Sequence, residues 1–235
     1  MISEVTFSKN YTSFWNAVLI NSRNYVRLIN GSLVQTIHKP FPPNNGGYTA
    51  YINEVAFELF SISLDNGNIS FRDEDITNAC SKAGTKIKLF ATQYQNIIFP
   101  QYDEIKTEVL FIVESLHNQY AGKNPSVKFG FRGLGLLNST EIDLRYNDIL
   151  VEIKSGDRKF KVTDIRQILI YLTQNYFSKD SIDIKYIELF NPRMGILFST
   201  DVESMIYQLT ASTPRELYEE IRSFLCNSTL LNNEI

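Results

Sequence analysis

The sequence predicts an α/β protein, a mixed β-sheet flanked by helices and preceded by a mainly helical N-terminal unit. Three observations lead there. From Asp103 onward the apolar pattern runs helix, strand, strand, strand, helix, strand, strand, an order that layers helices on a mixed sheet. The first 100 residues read mainly as helices. With 43% hydrophobic and 21% charged residues in 235, the chain can bury a full core, as one large domain or two small ones.

Taken in order, the first 36 residues read as helices rich in aromatics (Phe14, Trp15, Tyr25) and close on Asn30-Gly31, a helix stop. Residues 38–49, with Pro40, Pro42, Pro43, Gly46 and Gly47, are the clearest loop. A helix over 50–61 and one or two weaker elements lead to the Pro100 region, where the boundary between a 1–100 unit and a 101–235 domain is expected. Ile105, Val109, Ile112, Val113, Leu116 and Tyr120 then predict a helix over 104–120 with one apolar stripe, ended by Gly122 and Pro125. Residues 127–133 read as a short strand and 141–155 as a hairpin. Thr163 is placed to cap a helix bearing Ile165, Ile168, Leu169, Leu172 and Tyr176 on its buried face. Residues 184–190 and 195–200 read as two further strands.

Several function classes fall away on composition. Cys80 and Cys226 lie far apart, with only His38 and His117 to help, which excludes a disulfide framework and a structural zinc site. The N-terminus has neither a basic start nor an apolar h-region, and no run approaches the roughly 18 apolar residues of a membrane span, so a cytoplasmic, non-membrane protein is expected. The glycines from Gly130 to Gly135 lack the Lys-Ser/Thr and following helix of a phosphate loop. The net charge of -3 argues at first against a polyanion partner. Residues 121–166, however, hold nine Lys/Arg against six Asp/Glu, a local +3, and the remaining 14 against 20 leave -6 elsewhere. Arg145, Arg158, Lys159 and Lys161 in that segment are candidate nucleic-acid contacts.

The hairpin carries the chemistry. With Asn147-Asp148 as a two-residue turn, 146 pairs with 149, 144 with 151, 143 with 152 and 141 with 154. Ile142, Leu144, Tyr146, Ile149, Val151 and Ile153 then share one face, expected to be core. The other face sets Asp143 opposite Glu152, with Cβ atoms about 4.5–5.5 Å apart. Two facing acids are destabilising unless a positive charge sits between them. A divalent cation resolves this conflict, since Mg²⁺ or Mn²⁺ takes one or two carboxylates and leaves other positions to water and phosphate. Lys154 points to the same side, where an ammonium can stabilise charge on a phosphate. Spacing alone is also met by a solvated polar face in which Glu141 pairs with Lys154.

The run Asp143, eight residues, Glu152, one residue, Lys154, ending in the apolar strand ILVEIK, resembles the signature of the PD-(D/E)XK nuclease superfamily. In the next helix, Gln167 and Tyr171 resemble the Q-x-x-x-Y motif of its RecB-like branch, and Gln174 continues the same polar stripe. The resemblance covers about 104–200. Ile142 stands where the motif's name has Pro, and the Gly usual ahead of the Asp is absent. The resemblance implies a restriction-endonuclease-like fold and Mg²⁺-dependent hydrolysis of phosphodiester bonds in DNA, as an endonuclease. Asp143 and Glu152 become metal ligands, Lys154 the catalytic lysine, and Gln167 and Tyr171 accessory residues. It also implies Glu108 or His117 of the preceding helix as a further ligand, with Glu54 and Glu58 as outside candidates. By analogy the chain belongs to a restriction or anti-phage defence system, as a homodimer or as the partner subunit of a complex. The competing expectations are an inactive nuclease-like binding module and a Holliday-junction resolvase.

Overall fold

In the computed structural model, residues 1–44, 46–90 and 96–227 are described; Asn45 of the expected loop and residues 91–95 ahead of Pro100 lie outside them. Six strands make one sheet: β1 (Gln35–Thr36), β2 (Ser126–Phe131), β3 (Thr140–Tyr146), β4 (Ile149–Ile153), β5 (Tyr186–Asn191) and β6 (Ile196–Asp201). Their order across the sheet is β1-β6-β5-β4-β3-β2. β4 and β5 run parallel, joined through helix α7 (Val162–Tyr176), and the other neighbours are antiparallel. The fold is therefore α/β, a mixed sheet between helical layers, with a helical N-terminal region.

Both faces of the sheet are covered, which explains why its central strands do not alternate. On one face lie α4 (Thr49–Asn66), α5 (Asp73–Phe90) and α6 (Tyr102–Tyr120), packed on Leu144, Tyr146, Val151 and Phe190. On the other lie α1 (Glu4–Asn10), α2 (Thr12–Val18), α3 (Ser22–Leu28), α7, α8 (Val202–Thr210) and α9 (Pro214–Cys226), packed on Ile142, Leu150, Ile187 and Leu189. In β5, Ile187 and Leu189 serve one core and Phe190 the other, so the strand is buried without alternation from Ile187 to Asn191, Glu188 included.

The hairpin turns as its sequence predicts. Tyr146 pairs with Ile149 and Leu144 with Val151, and Asn147 takes φ 50°, a conformation asparagine tolerates. The single apolar face does not extend to the open end. Ile142 packs in the α7-side core, whereas Leu144, Tyr146 and Val151 pack in the α6-side core. The same exchange occurs on β2, where Phe129 and Val127 contact different cores on either side of Lys128, whose φ is 55°. The sheet is thus coiled at Asp143.

Two other expectations change. The boundary near Pro100 does not divide the core: Phe7 and Trp15 pack with Ile165 and Phe224, and Tyr51 and Val55 pack with Ile112 and Val151. β1 even completes the sheet by pairing with β6. Helix α7 starts at Val162, so Thr163 is not its cap; Asp164 accepts the Lys161 N–H at 2.8 Å instead. Helices α8 and α9 follow the last strand, α9 opened by a capping box of Thr213 and Glu216 with Pro214 at its first position.

Candidate functional site

The coil at Asp143 builds the site. Past the Leu144–Val151 pair, β4 leaves β3 and follows β5, with Glu152 opposite Leu189 and Ile153 opposite Phe190. Asp143 is therefore not a ladder partner of Glu152. Its Oδ2 accepts the Ile153 N–H at 2.7 Å, taking the place of a strand carbonyl. Lys154 extends the strand through an N–H bond to the Phe190 carbonyl at 2.8 Å. Its side chain folds back along the sheet. The Nζ donates to the Glu152 carboxylate and, at 2.7 Å, to Gln167 Oε1 of α7. One turn further along α7, the Tyr171 hydroxyl lies near enough to Glu152 to feel its carboxylate. Asp143, Glu152, Lys154, Gln167 and Tyr171, distant in sequence, form one cluster.

The electrostatics of the cluster are those of excess negative charge held out of water. Burial raises the Asp143 carboxyl to about 8, reinforced by the Glu152 charge and opposed by Lys154. Glu152 is raised by burial as well, against the pull of Lys154. For Lys154, burial alone would lower its pKa, but Glu152, Asp164 and Asp143 outweigh it and the ammonium is held above its ordinary value. Tyr171, only 3% exposed, is pushed far above the usual tyrosine range by burial and by the Glu152 and Asp143 charges, so it stays a donor. One lysine does not neutralise two carboxylates.

Asp143 and Lys154 stand in the wall of a cleft of about 340 Å³. Ser155, Gly156 and Arg158 continue that wall, and α4 and α5 supply the opposite one through Asn53, Glu54, Phe57, Lys86 and Ile87. Among the described residues, no group of three or more His, Cys, Asp and Glu side chains is arranged to hold a metal ion. The two-carboxylate set of Asp143 and Glu152, undercompensated and beside an open cleft, does fit an Mg²⁺ or Mn²⁺ ion that keeps its remaining positions for water and phosphate.

The other candidates fall into different places. Glu108 does not line the cleft: its Oε2 accepts from Arg193 at 2.8 Å and its Oε1 from the Asn44 N–H at 2.9 Å. A fully buried guanidinium thus claims the carboxylate of the residue expected as a further metal ligand, away from Asp143 and Lys154. His117 is held by Ser63 at 3.0 Å, and Glu58 by Lys128. Of the four candidate nucleic-acid contacts, Arg158 alone lines the cleft, and Asp164 fixes its guanidinium at 2.7 and 2.9 Å. Lys159 reaches the Asn30 carbonyl at 3.0 Å, Lys161 is exposed, and Arg145 lies 4.8 Å over the Phe129 ring. Gln174 bonds Thr140 and the Asn138 carbonyl, anchoring α7 to the start of β3.

Sequence reasoning missed Lys86, which sits in the cleft 2.7 Å from Glu54, and the turn between β5 and β6. In that turn Asn191 donates to the Gly156 and Arg158 carbonyls at 2.8 and 2.9 Å, and Arg193 to the Ser155 carbonyl at 3.0 Å. The residues after Lys154 are thus pinned from below. The only signal for this is the polar run Asn191-Pro192-Arg193 between two apolar strands, which reads as an ordinary turn. No protein-family model matches the chain, and no curated protein matches it.

Proposed function

We propose that the chain is a divalent-metal-dependent nuclease that hydrolyses phosphodiester bonds in DNA. The observation that supports this best is Lys154, whose ammonium bridges Glu152 and Gln167 while Asp143 stands beside it in the cleft wall. Asp143 and Glu152 would hold Mg²⁺. When bound, the ion polarises a phosphoryl oxygen and lowers the pKa of water toward neutrality. The chain's own groups do the rest. Lys154, kept protonated by the acids around it, donates to the charge that grows on the phosphate oxygens. Gln167 holds the Lys154 Nζ in place, and Tyr171 stays a protonated hydroxyl beside Glu152. Arg158, locked by Asp164, presents positive charge on the same wall.

The test is Mg²⁺-dependent cleavage of linear duplex, single-stranded and four-way-junction DNA by the wild-type chain and by folded Asp143→Asn and Lys154→Met variants. Loss of cleavage in both variants supports the reading, and equal cleavage by all three proteins removes it. Binding without cleavage by the wild type would favour the inactive module, and cleavage confined to the junction a resolvase.

A further inference from the structure

The cleft has two walls of different chemistry, and only one of them comes from the hairpin and its motif residues. On the sheet side stand Asp143, Lys154 and Arg158. On the helical side, Lys86 and Ile87 of α5 and Phe57 of α4 face them, all three half-buried. Lys86 rests 2.7 Å from the Glu54 carboxylate and is held by the Asp143 and Glu141 charges across the gap, so its ammonium looks onto the same space as Lys154. A phosphate in that space meets a cation from each wall. The nucleoside attached to it then meets Phe57 and Ile87, apolar groups at the size and height of a base face.

Size narrows the ligand further. A cleft of about 340 Å³ lies at the small end of ligand pockets, which run from roughly 300 to 1,000 Å³, and has room for about one nucleotide. In a duplex the base belonging to that phosphate is stacked and paired, and it reaches Phe57 only after being extruded. A duplex would also have to fit its second strand between the sheet-side wall and the wall that α4 and α5 supply. An unpaired strand meets neither obstacle.

We infer that this cleft takes an unpaired polynucleotide strand, with a phosphate between Lys86 and Lys154 and a base against Phe57. The inference rests on the reading of the cleft as a nuclease site, and it adds the substrate class and two residues outside the motif. The same chemistry is offered by single-stranded DNA and RNA. The contact of Lys86 with Glu54 is then the resting arrangement of a substrate-binding lysine.

The experiment is fluorescence anisotropy of the full chain in Ca²⁺ and in EDTA, with labelled single-stranded DNA, single-stranded RNA of the same sequence, and a hairpin duplex. The expected result is single-strand binding roughly tenfold tighter than duplex binding, the scale of one base stacked on an aromatic ring. Lys86→Gln weakens single-strand binding about fivefold or more, Lys86→Arg restores it, and Phe57→Leu, which keeps an apolar side chain in the core, narrows the preference for single strands. The DNA and RNA arms identify which strand is bound. Duplex binding as tight as single-strand binding, or Lys86→Gln binding like the wild type, overturns the inference. Tight single-strand binding with no cleavage in Mg²⁺ upholds the inference about the cleft and overturns the nuclease reading, so the two failures are distinct.

Discussion

Arg193 donates to Glu108 at 2.8 Å with both side chains out of water. The same guanidinium reaches the Ser155 carbonyl at 3.0 Å and Asn53 Oδ1 at 3.3 Å, so it ties the sheet-side wall of the cleft to the helical wall. Removing one member of such a pair leaves the other charge buried and uncompensated, at a cost of about 3–5 kcal/mol. Glu108→Ala and Arg193→Ala are expected to lose that much stability in urea unfolding. In Glu108→Gln, however, any rise in melting temperature on adding Mg²⁺ should persist, because the carboxylate serves Arg193. A Mg²⁺ response abolished by Glu108→Gln would return Glu108 to the ligand set.

The contrast between Glu108 and Asp143 shows what the sequence can and cannot carry. Periodicity places Glu108 at the edge of the α6 stripe, where it stands, and sets Asp143 opposite Glu152 across the hairpin, a pairing the structure does not keep. Periodicity does not say which distant cation arrives. Arg193 lies 85 residues on, in a turn whose local pattern carries no trace of its burial. Likewise the hairpin turn was legible because Asn147 and the residues around it fix it locally, while the coil at Asp143 was not. That coil depends on β4 parting from β3 after Val151 while it stays paired to β5, an arrangement set by the whole sheet. That Gln167 and Tyr171 share a helix face was legible from their i and i+4 spacing, whereas their place beside Lys154 was only what the motif resemblance implied. Lys86 was hidden because the helix carrying it belongs to a region whose contact with the site is tertiary.

A pH-dependence follows from Asp143. Its carboxyl is raised from the ordinary 3.8 to about 8 by burial and by Glu152, so the folded chain retains a proton that the unfolded chain releases. The stabilisation from that proton is complete below about pH 4 and is lost as pH rises through about 8. Without metal, the melting temperature of the wild type should fall between pH 5 and pH 8.5 more than that of Asp143→Asn. Mg²⁺ competes with the same proton, so the rise it produces should be larger at pH 8 than at pH 5.5. A Mg²⁺ effect independent of pH would mean that the ion binds away from Asp143.

Lys154 and Gln167 should differ in degree. On the proposed nuclease reading, losing the ammonium removes a charge aimed at the reacting phosphate, for which about 10²–10³ in kcat is the usual loss. Lys154→Met is expected in that range. Gln167→Leu keeps the charge but releases the Nζ from its 2.7 Å acceptor, and roughly tenfold in kcat with little change in KM is expected. Steady-state kinetics on an oligonucleotide separates the two, and a Gln167→Leu effect confined to KM would speak for a substrate contact instead.

Asn191 makes the sharpest test of whether the segment after Lys154 is positioned or merely present. Fully buried, its amide donates to the Gly156 and Arg158 carbonyls, and its Oδ1 accepts the Arg193 and Met194 N–H groups at 3.0 Å each. Asn191→Ala leaves four backbone groups without these partners. At about 1 kcal/mol for each lost bond, a loss of roughly 3–4 kcal/mol in urea unfolding is expected. Asn191→Asp keeps the two acceptor contacts and loses the donors, so it unties Ser155–Arg158 while leaving the β5–β6 turn closed. Because those residues form the cleft wall next to Lys154, Asn191→Asp should lower Mg²⁺-dependent kcat per folded molecule, while hydrogen exchange quickens at residues 155–158 and not in β5. Full activity with that exchange quickened would show that the wall tolerates motion and that Lys154 is held by Glu152 and Gln167 alone.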